Sequence, residues 1–248
     1  MSDFDTQRAL QKNRIRRRGI YLLPNLFTTA ALFAGFYAIV QAMNFRFGLA
    51  AMAIFVAMVL DGLDGRVARL TRTQSAFGAE YDSLSDMVSF GAAPALIVYE
   101  WALKGMGKLG WVAAFVYCAS AALRLARFNT NIGVVDKRWF QGLPSPAAAA
   151  LVAGFIWVMD DAGFKQVGRI DWLAWGAMAV TLYAGLTMVT NVPFYSFKDL
   201  GQRRSVPFIV LVLVALAIAA VNLHPPIVLF GVFCIYGLSG YAVYVWRK

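Results

Sequence analysis

The chain has 248 residues, of which 60% are hydrophobic and 15% charged, and its 23 Lys and Arg against 13 Asp and Glu leave a net charge of +10. That composition belongs to a polytopic membrane protein and leaves no polar stretch long enough for a separate soluble domain. The basic residues sit in short segments between apolar runs, which reads as membrane orientation and contact with anionic lipid and argues against nucleic acid as a partner.

Taken in order, residues 1–20 are polar and basic, with Arg8, Lys12, Arg14, Arg16, Arg17 and Arg18. They read as a cytoplasmic anchor beside the first span, with a lipid-headgroup site as the sharper alternative, and they lack the apolar core of a cleavable signal. Eight apolar segments follow: 22–42, opened by Pro24 and Asn25, then 47–70, 77–103, 110–128, 144–159, 172–189, 206–221 and 227–246. The fifth and seventh are short for a hydrocarbon layer of about 30 Å. The predicted fold is therefore all-α, a polytopic membrane helix bundle of about eight transmembrane helices. With the N-terminus in the cytoplasm, eighteen of the 23 basic residues fall on the cytoplasmic side, leaving Arg46, Lys104, Lys108, Lys165 and Arg169 opposite. That contrast predicts that both termini are cytoplasmic.

Cys118 and Cys234 both lie inside apolar runs, so neither a structural disulfide nor a zinc site is expected. The one histidine, His224, sits in a turn between apolar runs, far in sequence from any acidic cluster.

The stretch with chemistry in it is DGLDGRVARLTRTQSAFGAEYDSLSD, residues 61–86. Asp61 and Asp64 lie about 60° apart around a helix, and Asp82 and Asp86 about 40° apart, so each pair shares a face. If the faces meet, two carboxylates at ~4 Å repel by ~4 kcal/mol at an effective dielectric near 20. A cation held among them relieves that repulsion, and a divalent metal bound through oxygen is the natural candidate. Gly65 and Ala68 flank the first pair, and Gly78, Ser85, Ser89 and Ala93 the second. Small residues there either let the helices approach closely or leave a slot for metal and ligand, and both can hold at different depths. Two divalent ions on such a cluster would neutralise a diphosphate and assist displacement at phosphorus. Arg66, Arg69 and Arg72 could bind phosphate oxygens or serve as positive-inside anchors, with Arg69 nearest the carboxylate face. Without a nearby histidine, the general base must be a carboxylate. A cation transporter using intramembrane carboxylates is the reading from another class, but it would want its acids near mid-membrane.

The spacing D-x2-D-G-x2-A-R-x8-G-x3-D-x3-D, carried by Asp61, Asp64, Gly65, Ala68, Arg69, Gly78, Asp82 and Asp86, resembles the signature of the CDP-alcohol phosphatidyltransferase family. The resemblance implies that Asp61, Asp64 and Asp82 ligate a pair of divalent ions, Mg2+ or Mn2+. It implies that Asp86 is the general base for the acceptor alcohol and could also touch a metal. It further implies that Gly65 and Gly78 admit the CDP moiety, that Arg69 contacts the nucleotide or its phosphates, and that CMP leaves. Within the family, LPNLFTTAALFAGF (23–36), YDSLSDMVSFGAAPA (81–95), ALRLARFNT (122–130) and FQGLPSPAAAA (140–150) look like the phosphatidylserine synthase branch. That implies CDP-diacylglycerol and L-serine as substrates, membrane lipid as surroundings and a homodimer. It divides the chain into a basic segment 1–20, a family core 21–190 of six transmembrane helices, and a C-terminal pair of helices in 191–248. In this reading Arg124 and Arg127, three apart on one helix face, meet serine's carboxylate, with positive-inside anchoring as their alternative role. Asn129 could add a hydrogen bond, and Asn25 and Thr28 could help hold the cytidine or its phosphates. Glycerol phosphate, inositol phosphate or choline as acceptor would leave the fold and the metal site unchanged. The implied location is the bacterial inner membrane, with the site facing the cytoplasm.

Overall fold

The computed structural model describes residues 3–71, 73, 75–130, 139–165, 172–196, 219 and 221–246, with side chains from residue 23 onward. The predicted seventh span lies almost wholly outside the described residues, as do Arg72, Lys137 and Arg138 and the side chains of the basic N-terminal segment.

The first helix, α1 (Asp3–Met43), runs through Pro24, and its apolar part is Leu23–Met43. A turn at Asn44–Arg46, with Phe45 at φ 58°, returns the chain into α2 (Phe47–Thr71). α3 (Ala76–Asp86) follows, and Ser75 caps it by accepting a hydrogen bond from the Gly78 N–H. α3 continues through a π-helical turn (Met87–Ala92) into α4 (Ala93–Trp101), and a short 3₁₀ turn (Leu103–Met106) leads on to α5 (Lys108–Thr130). Then come β1 (Trp139–Gln141), α6 (Ser145–Asp161), α7 (Trp172–Val189), β2 (Pro193–Tyr195) and α8 (Pro225–Trp246). Among the described residues, five helices are long and apolar enough to cross a membrane: α1, α2, α5, α7 and α8. The chain is an all-α polytopic membrane protein.

The third predicted span is one helical segment, but not a uniform one. Pro94 has no N–H for the Phe90 carbonyl, and its ring would crowd that oxygen in a regular α-helix. The backbone widens into the π turn instead, with Ala93 N–H reaching back to Val88 O. Tyr117 from α5 donates its hydroxyl to the freed Phe90 carbonyl at 3.0 Å. The irregularity begins one residue after Asp86, so it helps set the direction of that carboxylate.

α6 is the buried centre. Ala147 through Ala153 are all withdrawn from solvent, and α2, α7 and α8 pack around them. A run of small side chains allows that close approach without voids. The two short strands form a small antiparallel sheet, with Trp139 opposite Tyr195, which pins the segment after α5 to the segment after α7. Gly142 closes this junction at φ 77°, where an added Cβ would come within 2.9 Å of the Thr190 carbonyl.

Candidate active site

α1 acts as a clamp on the two helices that carry the aspartates. Thr28 donates its hydroxyl to Asp64 Oδ2 at 2.7 Å, tying α1 to α2. The backbone carbonyls of Thr28 and Ala31 accept from Ser85 at 3.2 Å and Ser89 at 3.1 Å, tying α1 to α3 and the π turn. Gly35 permits this contact, because a Cβ there would stand 2.7 Å from the Ser89 Cα. Ser85 and Ser89 thus serve helix packing, while Gly65, Ala68 and Gly78 line open space.

With both helices held by α1, the aspartates meet. Single carboxylate oxygens of Asp61, Asp64 and Asp82 all lie within 4.8 Å of one another. Asp82 also comes within hydrogen-bond reach of Asp64, and Asp86 within reach of Asp61. Asp64 is only 5% exposed, and the Oδ1 atom of Asp82 is buried without a hydrogen-bond partner among the described residues. An orphaned buried carboxylate oxygen among three like charges is costly unless a cation or proton meets it. The donor set is all oxygen, which suits a hard divalent cation such as Mg2+ or Mn2+. The arrangement therefore fits a metal held by Asp61, Asp64 and Asp82.

The cluster has two sides. Asp64 and Asp82 form part of the wall of a cavity of about 310 Å³. Asn25, Thr28, Gly65, Arg69 and Gly78, the residues expected to hold CDP, all line it, and Pro24, Ala68, Thr73, Ser75 and Ala79 complete it. Thr73 and Ser75 had no signal of their own in the sequence; they enter because the α2–α3 turn folds over the cavity.

Asp61 and Asp86 instead interact with Arg124 of α5. Arg124 is 9% exposed and donates from Nη1 to Ser145 Oγ at 2.6 Å, at the start of α6. Tyr236 of α8 lies near enough to interact electrostatically with Arg124, so the last helix reaches this side of the site. Arg127, one helical turn further on, points elsewhere. It donates to Asn191 Oδ1 at 3.0 Å and to the Met188 carbonyl at 3.4 Å, placing a cation at the C-terminal end of α7. Asn129 Nδ2 donates to Ser83 Oγ at 2.9 Å, beside Asp82. The three residues expected to hold the acceptor therefore split, with Arg124 facing the carboxylates and Arg127 and Asn129 bound into neighbouring elements. Pro144 and Pro146 flank the first residue of α6 and shape its entry.

Apolar helices gathered around an oxygen-rich acidic cluster, with a polar cavity on one side and a buried arginine on the other, define a membrane-embedded enzyme acting on a phosphorylated substrate. The chain belongs to the CDP-alcohol phosphatidyltransferase family, whose model matches residues 21–189. Among its relatives is a CDP-diacylglycerol–serine O-phosphatidyltransferase of Helicobacter pylori, 37% identical over 220 residues that cover 88% of this chain and 90% of the relative. Proteins of the same description are 31% identical in Mycobacterium bovis, over 89% of this chain and 78% of the relative, and 34% identical in Methanocaldococcus jannaschii, over 76% and 82%.

Proposed function

We propose that this enzyme transfers the phosphatidyl group of CDP-diacylglycerol to the hydroxyl of L-serine, giving phosphatidylserine and CMP. The observation that carries the reading is the two-sidedness of the carboxylate cluster. Asp64 and Asp82 line the cavity that would take the nucleotide, and Asp61 and Asp86 lie outside that lining, within electrostatic range of the buried Arg124. A displacement at phosphorus needs that layout, with the leaving group on one side and the nucleophile on the other. The relatives' activity with serine supports the choice of acceptor.

In this reading Asn25, Thr28, Gly65, Arg69 and Gly78 hold the CDP moiety, and Arg69 contributes charge toward the diphosphate. Asp61, Asp64 and Asp82, with Asp86 at the edge, would hold divalent metal, a pair of ions by the family pattern. Bound metal supplies charge neutralisation of the diphosphate. Arg124 meets the serine carboxylate, placing the serine hydroxyl beside Asp86. Asp86 takes the hydroxyl proton as the serine oxygen bonds to the phosphorus that carries diacylglycerol. The bond from that phosphorus to the oxygen of CMP breaks, and CMP carries the electron pair away. Asp86 suits this task by position, since it borders Arg124 and not the cavity. Arg127 and Asn129 hold the segments around the acceptor side in place.

The cytoplasmic face of the bacterial inner membrane is where soluble serine and CDP-diacylglycerol would meet at this site, and the basic residues favour that orientation. The deciding measurement is CMP release from CDP-diacylglycerol by the purified protein with Mg2+ or Mn2+. Release should require L-serine. Release that instead follows glycerol phosphate, inositol phosphate or choline would reassign the acceptor.

A further inference from the structure

We infer that Ser145 is a positioning residue: it aims the Arg124 guanidinium at the acceptor and thereby sets the preference for an alcohol that bears a carboxylate over one that lacks it. The inference rests on the reading that Arg124 meets the serine carboxylate.

Ser145 is fully buried and Arg124 is 9% exposed, so water does not compete for the 2.6 Å bond between them. The hydroxyl is also rigidly mounted. Ser145 is the first residue of α6, Pro144 precedes it at φ −57° and ψ 139°, and Pro146 follows within the first turn. Prolines on both sides fix the local backbone, and the buried alanines from Ala147 to Ala150 lock the helix behind it.

A guanidinium is planar and carries five N–H donors in a fixed fork. Holding one Nη in place therefore fixes where the other donors point. Arg124 reaches the site from α5 on a long flexible side chain, and among the described residues neither Asp61 nor Asp86 forms an ion pair with it within 4.0 Å, although both lie within electrostatic range. Among the described residues, the hydrogen bond that Arg124 makes to a protein group is the one to Ser145, which leaves its other donors for a ligand. An apolar side chain would suit the rest of this α6 segment, which is alanine-rich, and a hydroxyl there has the arginine as its partner.

The test compares wild type, Ser145→Ala and Ser145→Thr in detergent, with L-serine and L-serinamide as alternative acceptors and CDP-diacylglycerol as donor. Loss of a hydrogen bond to a charged group should raise the KM for L-serine about ten- to a hundredfold in Ser145→Ala. The KM for CDP-diacylglycerol should stay near that of wild type, and the preference for L-serine over L-serinamide should narrow. Ser145→Thr keeps a hydroxyl and should recover most of the preference. An unchanged KM for L-serine overturns the inference, as does an equal rise in both KM values or a lower Tm with the serine-to-serinamide preference intact. Wild-type protein that releases no CMP with L-serine overturns the acceptor reading itself. Wild-type activity with an unaltered Ser145→Ala overturns only the role of Ser145.

Discussion

Thr28 and Asp64, 36 residues apart, are joined by a 2.7 Å hydrogen bond in which the Thr28 hydroxyl donates to Oδ2. The bond restrains the Asp64 side chain within the carboxylate cluster. Groups that orient metal-binding carboxylates typically contribute 10–100-fold to metal affinity. Thr28→Val keeps the volume and removes the donor. Its activity should require about 10–100-fold more Mg2+ or Mn2+ for half-saturation, with much of the lost rate recovered at high metal. Thr28→Ser should behave nearly as wild type. A metal titration of CMP release checks this, and an unshifted midpoint in Thr28→Val would remove Thr28 from any supporting role.

Asp86, like Asp61, lies on the Arg124 side and outside the cavity lining, but unlike Asp61 it is not one of the three aspartates whose oxygens converge. Asp86→Asn preserves shape and removes the base. The kcat should fall by about 10²–10⁴, the usual contribution of a positioned base, while CDP-diacylglycerol still binds. Turnover paired with equilibrium binding of CDP separates the two effects. Wild-type turnover in Asp86→Asn would assign the proton transfer to another group.

Gly65 and Gly78 line the same cavity but should respond differently to added bulk. A Cβ at Gly65 would meet only the flexible Arg69 guanidinium, at 3.5 Å, so the fold tolerates it. Gly65→Val should leave Tm almost unchanged while lowering kcat/KM for CDP-diacylglycerol about a hundredfold, as small misplacements in a reactive complex do. A Cβ at Gly78 would come within 3.1 Å of Ser75 Oγ, the atom that caps α3. Gly78→Ala should therefore also cost about 1 kcal/mol of stability, the usual worth of such a cap. Thermal unfolding beside steady-state kinetics distinguishes the pair; equal Tm losses would contradict it.

Much of this site could be read from residue spacing, because Asp61 with Asp64 and Asp82 with Asp86 are one helical turn apart and local geometry puts each pair on one face. Asn25 and Thr28 were also legible, lying where the first apolar segment begins. The π turn was harder to see. Its cause is Pro94 acting on Phe90 four residues earlier, and its compensation is Tyr117 on a different helix. Arg127 and Asn129 read as partners of Arg124 because they share its helix end. Their actual partners, Asn191, Met188 and Ser83, lie 46 to 64 residues away in sequence, and no local pattern announces them. Ser145 was hidden for the same reason, as one small residue in a run of small residues.

Gly35 is a position of close approach between α1 and the segment after α3. A Cβ there would stand 2.7 Å from the Cα of Ser89, and a backbone atom cannot turn aside as a flexible side chain can. Gly35→Ala must push the two helices apart, which for an overpacked contact costs about 1–3 kcal/mol. The same separation stretches the bond from Ser89 to the Ala31 carbonyl and displaces Asp86, one turn earlier on the segment. Gly35→Ala should therefore lower Tm in detergent and also reduce kcat, although it lies outside the cavity and contacts none of the aspartates. By contrast, Ala34→Gly next to it adds no bulk and should spare kcat. Thermal unfolding and CMP release measured on both variants test the clamp, and a Gly35→Ala protein with wild-type Tm and kcat would show that α1 does not set the spacing of the aspartate helices.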